Sequence, residues 1–215
     1  MLTDPLNPSM QARLEVRGLH LWRGEHHLLR GISFTLSGGE LLQVKGQNGV
    51  GKTSLLRCVA GLLPAESGEC LWNGVDARLA AAQFNQSLLY LGHSNALKQD
   101  LTALENLAFT LGLKRTVSDS DCQQALSRVG IPQCADLPVR VLSAGQRRRV
   151  ALAQLVMSEA PLWVLDEPIT NLDVQGIAMV EGLLAEHLAQ GGAIISAAHQ
   201  PLLAGHPGNR ELVLN

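Results

Sequence analysis

The sequence predicts an α/β domain on a largely parallel sheet, and three observations carry that expectation. A strand-like run, "ELLQVK", leads directly into the glycine-rich "GQNGVGKT" and then into an apolar pattern of helical spacing. In the C-terminal half, short apolar runs alternate with helical patterns, the texture of parallel strands joined by crossover helices. Near the N-terminus, alternating runs and an Asn-Gly pair between short strand-like pieces add antiparallel pairing. At 215 residues, 46% apolar and 17% charged, the chain suits a single folded domain with a substantial core.

Residues 13–23 and 32–45, with the turn Ser37-Gly38-Gly39 inside the second run, read as antiparallel strands leading into a buried one. From Lys52 to Ala60, Leu55, Leu56 and Val59 fall at helical spacing, and Gly61 and Pro64 end the pattern. "GECLWNGVDA" carries Asn73-Gly74, a strong hairpin signal, and "SLLYLG" reads as a buried strand ending near His93. From Thr102 to about Val141 the texture turns helical. Thr102 with Glu105, and Ser118 with Asp121, form capping boxes, and Gly130 is a stop. This stretch, about 94–142 with its flanks, is expected to form a small helical subdomain. "QRRRVALAQLVMSE" reads as a helix apolar nearly all round beyond Arg149, hence buried. "PLWVLDE" is a strand, 177–190 a helix, "GGAIISAAH" a strand and "RELVLN" a final one.

Composition excludes several classes. Net charge is −2 and the one short basic run is Arg147-Arg148-Arg149, so no nucleic-acid footprint is visible. "MLTDPLNPSMQAR" lacks the pattern of a signal peptide, and no apolar run approaches the roughly 18 residues needed to span a bilayer. Cys58, Cys70, Cys122 and Cys134 are scattered, which suggests neither a zinc site nor a disulfide framework, and they read as small core or near-surface residues. The seven histidines are dispersed, with no haem-attachment motif.

Gly46 to Thr53 meets the G-x-x-x-x-G-K-[ST] pattern between a strand and a helix. Glycines let successive backbone N–H groups converge on one anion, and the helix N-terminus adds roughly +0.5 of a charge. Candidate nucleotide-binding residues are Gly46, Gln47, Asn48, Gly49, Val50, Gly51, Lys52, Thr53 and Ser54. Lys52 would reach the β- and γ-phosphates, and the Thr53 hydroxyl would hold Mg²⁺. Asp166, where the apolar strand "LWVLDEP" ends, can hold the same ion through water, and Glu167 beside it is placed to act as a general base or to orient the attacking water.

"VLSAGQRRRVALA" completes the pattern. Leu142-Ser143-Ala144-Gly145-Gln146 resembles the LSGGQ signature of ATP-binding cassette (ABC) ATPases, with alanine for one glycine. Physically it offers a hydroxyl, a glycine and the N-terminus of a buried helix, a second anion site with neither acid nor base. The resemblance covers about residues 13–215 and implies the ABC ATPase fold of the P-loop NTPases, with an antiparallel β subdomain and a small helical one. It also implies ATP and Mg²⁺ as cofactors, and a head-to-tail homodimer in which Ser143, Ala144, Gly145 and Gln146 of one copy complete the site of the other. By the same resemblance "TNLD" is the D-loop, with Asp173 at the dimer seam, and His199 in "SAAHQ" is the switch histidine at the γ-phosphate. Lys52, Glu167 and His199 are then the catalytic set.

Two places depart from the family pattern. His93 stands where a glutamine usually touches Mg²⁺ and senses the membrane partner; imidazole is a poor Mg²⁺ ligand, so the contact is water-mediated or the residue only packs or caps locally. At the place of the adenine-stacking aromatic stands Arg23, with Trp22 one residue earlier. Either could stack, and strand alternation puts them on opposite faces, with Trp22 slightly favoured as plain core.

Without a spanning segment, a transporter role requires a separate membrane subunit. No second cassette and no long coiled-coil insert is visible, which counts against the tandem-cassette ATPases of translation and the DNA-repair type. "YLGH", "LTALENL", "LSAGQRRRVALA", "WVLDEP" and "HQPL" most resemble the ATP-binding subunit of the cytochrome c maturation (CcmA-type haem) exporter. That resemblance implies a peripheral protein on the cytoplasmic face of a bacterial inner membrane, with a CcmB-like membrane-spanning partner and other maturation proteins. Its ATP hydrolysis would support haem export or haem-chaperone release. The alternatives are a cassette for another cargo or, disfavoured by the charge, a soluble ABC ATPase.

Overall fold

In a computed structural model the first strand turns alternate residues inward: Leu14 and Val16, then Leu19 and Leu21, are buried. The change from even to odd positions comes at Gly18, whose φ of 53° makes a bulge against the second strand and shifts the inward phase by one residue. Residues 12–112 and 115–215 are described, so the N-terminal leader question lies outside the described residues.

The elements run β1 (Arg13–Arg23), β2 (His26–Ser37), β3 (Leu41–Lys45), α1 (Lys52–Val59), β4 (Ser67–Trp72), β5 (Val75–Asp76), α2 (Ala81–Gln86) and β6 (Leu88–Leu91). There follow α3 (Ala103–Gly112), α4 (Asp119–Arg128), two short 3-10 turns, α5 (Ala144–Val156), β7 (Leu162–Asp166), α6 (Val174–Ala189), β8 (Ala193–Ala197) and β9 (Asn209–Val213). They build an antiparallel sheet of order β2-β1-β4-β5 and a parallel sheet of order β6-β7-β8-β3-β9. Strand β2 begins six residues before the expected start at Ile32, because Arg23 pairs with His26 across a two-residue turn that the polar His26-His27 pair disguised. Asn73 and Gly74 both have positive φ, 50° and 83°, and Trp72 pairs with Val75, so the Asn-Gly pair makes the tight hairpin expected of it.

β7 and β8 are buried at every position and β3 at all but its last, so both faces of the parallel sheet are covered. Leu55, Leu56 and Val59 fix α1 to one face; burying each contributes about 1.5–3 kcal/mol. The Thr102 hydroxyl caps α3 by accepting from Glu105 N–H at 3.1 Å, while Glu105 accepts from Thr102 N–H at 2.8 Å. A like box of Ser118 and Asp121 opens α4, and Leu107, Leu126 and Leu152 join α3, α4 and α5 in one core. α6 starts three residues before its expected start because Asp173 caps it. The six-residue α2, held by the buried Phe84, was not foreseen.

All four cysteines are free, with Cys70 half-buried and the others buried. Burial pushes the Cys70 thiol up to about 12 and the Cys58 thiol up to about 11, so both stay protonated. Among the described residues no helix is long and apolar enough to cross a membrane, and no cluster of three His, Cys, Asp or Glu could hold a metal.

Candidate active site

Strand β3 delivers the chain into the loop at Gly46. Gly46, Gly49 and Gly51 have φ of 147°, 83° and 111°, backbone that side chains resist, and a Cβ at Gly46 would lie 2.7 Å from the Leu214 carbonyl oxygen. Gly51 is the N-cap of α1 and supplies no side-chain cap, and no acidic residue stands in the first turn. The first N–H groups of that helix are therefore left to an outside acceptor at its positive end. Lys52 Nζ folds back over the loop, donating to the Gly46 and Gln47 carbonyls at 2.8 and 3.1 Å.

A cavity of about 730 Å³ opens above the loop. Asn48, Gly49, Gly51, Lys52, Thr53 and Ser54 line it, whereas Gly46, Gln47 and Val50 do not. Sheet order brings the ends of β7, β8 and β6 to the same rim, so Asp166, Glu167, His199 and His93 also line it. Asp166 is buried, and its Oδ2 has no hydrogen-bond partner among the described residues. A buried carboxylate oxygen without a partner is costly unless a cation or donor meets it; with the Thr53 hydroxyl it forms an all-oxygen donor set that fits a hard cation such as Mg²⁺.

Glu167 holds φ = 51°, left-handed for a non-glycine residue, while its N–H donates to the Ala197 carbonyl at 2.8 Å. Its carboxylate lies 3.6 Å from His199 Nε2 and 3.5 Å from the Thr170 hydroxyl. His199 is held from below by Gln43, a residue no motif pointed to. Buried in β3, Gln43 donates to the carbonyls of Ala198 and Gln200 and accepts from Leu202 N–H, fixing the turn that carries the histidine. Its signal was a lone amide among the apolar Leu41, Leu42 and Val44.

Trp22 and Arg23 both line the cavity. The core reading of Trp22 is corrected: the ring is 47% exposed and stacks on His27 at 4.1 Å, because the bulge at Gly18 turned Leu21 inward in its place. His93 is exposed and shares the rim between this cavity and a second of about 200 Å³ that Asn95 and Gln154 also line. No side-chain hydrogen bond of His93 is seen among the described residues, which leaves local capping without support.

Ser143, Ala144, Gly145, Gln146 and Asp173 lie outside the cavity. Ser143 Oγ accepts from Gln146 N–H at 3.2 Å and Ser143 N–H donates to Gln146 Oε1 at 2.9 Å, a closed capping box on α5. A Cβ at Gly145 would stand 3.0 Å from the Asn171 carbonyl oxygen, so glycine lets α5 press against the 170–173 turn. Asp173 accepts from Gly176 N–H and from Arg149 Nη2, both at 2.8 Å, and these contacts, the Gly176 N–H foremost, hold its carboxyl below the usual range. The buried stripe of α5 begins at Arg148, one residue before the expected boundary at Arg149.

A phosphate loop on a parallel sheet, with an acidic pair and a histidine on neighbouring strand ends, defines the P-loop nucleoside triphosphatases. A family profile described as "ABC transporter" matches residues 29–170. The "Cytochrome c biogenesis ATP-binding export protein CcmA" of Vibrio cholerae is 46% identical over 94% of this chain and 98% of its own length. The protein of the same name from Nitrosomonas europaea is 44% identical over 97% of this chain and 98% of its own. The solved structure of an ABC transporter ATP-binding protein from Pyrococcus furiosus superposes with a TM-score of 0.79 at 25% identity, over 93% of this chain and 97% of that one. The chain belongs to the ABC transporter family, as one of its ATP-binding, ATP-hydrolysing subunits of the group that includes the CcmA proteins.

Proposed function

We propose that this chain supplies energy to an exporter serving c-type cytochrome maturation, in haem export or haem-chaperone release, from the cytoplasmic face of a bacterial inner membrane. The names of its relatives support the pathway. A separate CcmB-like membrane-spanning subunit, with other maturation proteins, is the partner. For the chemistry, one juxtaposition carries the reading: the Glu167 carboxylate faces His199 Nε2 at 3.6 Å, beside the unpartnered Asp166 oxygen and above the phosphate loop.

ATP lays its phosphates on the open N–H groups of the loop, and Lys52 exchanges the Gly46 and Gln47 carbonyls for β- and γ-phosphate oxygens. The exposed Trp22 ring, backed by His27, takes the adenine, with Arg23 the alternative at the same rim. The Thr53 hydroxyl, and Asp166 through water, would hold Mg²⁺, whose charge would steady the phosphate oxygens. Glu167 takes a proton from the attacking water or orients it, and His199 donates to the γ-phosphate. His93, on the same rim, would contact the ion only through water and would report the state of the membrane partner.

In a homodimer, Ser143, Ala144, Gly145 and Gln146 of the second copy close over this nucleotide, with Asp173 at the seam. The Ser143 hydroxyl accepts from Gln146 N–H and keeps its own proton to donate to phosphate.

Glu167→Gln tests the base. ATP binding is retained, an ATP-bound dimer accumulates and turnover falls by about 100-fold or more; turnover at the normal rate refutes the assignment. In the native cell, the same substitution depletes haem-stained c-type cytochromes, and an unchanged content sinks the maturation role.

A further inference from the structure

Arg148 is 2% exposed and, among the described residues, has no ion pair. A buried cation of this kind is costly unless its donors are satisfied. All five of them are. Nε donates to the Pro168 carbonyl at 3.1 Å, and Nη2 to the carbonyls of Asp166 and Glu167 at 3.2 and 2.6 Å. Nη1 donates to the Gly92 carbonyl at 3.1 Å and to Asn95 Oδ1 at 2.9 Å. Burial lowers the guanidinium to about 10, still cationic at neutral pH.

One side chain thus grips three successive carbonyls of the turn that carries Glu167 and both flanks of the loop that carries His93. Glu167 itself is held in left-handed backbone, its N–H tied to Ala197 and its carbonyl to Arg148. Strained backbone of this kind persists only where its surroundings over-determine it. With one of the two ties removed, the turn is free to relax and to carry the carboxylate away from His199.

We propose that Arg148 is a positioning residue for hydrolysis: it fixes the backbone of Glu167 and makes the 166–168 turn and the 92–95 loop move as one body. The idea rests on the reading of Glu167 as the base. Displacement of the loop around His93 then reaches Glu167 through one guanidinium. Lysine cannot replace arginine here, because a single ammonium with three donors cannot span five acceptors on two segments.

The test compares Arg148→Lys and Asn95→Ala with Glu167→Gln in the full chain assembled with its membrane partner, measuring ATP affinity, kcat and folded fraction. The expected result for Arg148→Lys is a fall in kcat of about tenfold or more per folded chain, with ATP affinity changed by no more than about twofold. Asn95→Ala, which removes one contact and leaves the buried charge satisfied elsewhere, lowers kcat several-fold with the same split, and adds nothing when combined with Arg148→Lys. If Arg148→Lys does not fold, Asn95→Ala decides alone. Unchanged kcat per folded chain, or a loss of kcat that tracks a loss of ATP affinity, overturns the proposal. Normal turnover in Glu167→Gln sinks the base assignment instead, whereas a trapped Glu167→Gln beside unaffected Arg148→Lys and Asn95→Ala sinks only the role of Arg148.

Discussion

Helices α1 and α5 both begin in a glycine-bearing motif, and they begin in opposite ways. At α1 the N-cap is Gly51, with no side chain to cap the helix and no acidic residue in its first turn. At α5, Ser143 and Gln146 satisfy each other's backbone N–H groups before anything arrives. An open N-terminus is incomplete without an anion, so binding supplies the missing acceptors and the whole loop is organised around it. A closed one is complete alone and has only a hydroxyl proton and a partial charge to offer. The first suits the chain's own nucleotide and, in the homodimer proposed above, the second suits a nucleotide held by the other copy.

The comparison breaks most visibly at Lys52. Lys52→Ala leaves the open helix end without its cation, and ATP turnover is expected to fall by about 100-fold or more with weakened nucleotide binding. Retained affinity and turnover would mean that the loop does not hold the phosphates. Ser143→Ala comes next: chemical denaturation should show about 1 kcal/mol of lost stability, and turnover should fall while the single chain's own ATP affinity stays unchanged. A loss of that affinity would place Ser143 in its own copy's site and erase the distinction. The smallest effect belongs to Thr102→Ala, which opens a capping box of the same design on α3, away from both motifs. About 1 kcal/mol of stability should be lost with turnover per folded chain intact. If turnover drops there too, cap loss alone explains the Ser143 result.

How far each region could be read without the structure follows from how local its physics is. The phosphate loop, the Asn73-Gly74 hairpin and the Thr102 and Ser118 boxes are written within a few residues, because glycine φ values and side-chain reach are local properties. Trp22 was misplaced because the irregularity at Gly18 shifted the alternation, so that Leu19 and Leu21 face inward in place of His20 and Trp22. Gln43 and Arg148 were missed for a different reason. Gln43 looks like a polar interruption in an apolar run and Arg148 like one member of a basic run, and their hydrogen-bond partners lie far away in sequence, at 198–202 for Gln43 and at 92–95 and 166–168 for Arg148. A charge at 148 in register with the buried Ala151, Leu152 and Leu155 was the available signal, since a buried stripe admits a cation only where acceptors await it.

The wall behind Gly46 has a genetic consequence. Leu214 N–H donates to the Lys45 carbonyl at 2.9 Å, and its own carbonyl oxygen fills the space where a Cβ on Gly46 would go. β9 runs beside β3 along its length, so the strand that launches the phosphate loop is braced by residues encoded more than 160 codons downstream. A stop codon at Asn209 would therefore spare every motif of the family and still produce a chain that handles nucleotide badly, a defect that inspection of the motifs alone would pass as harmless.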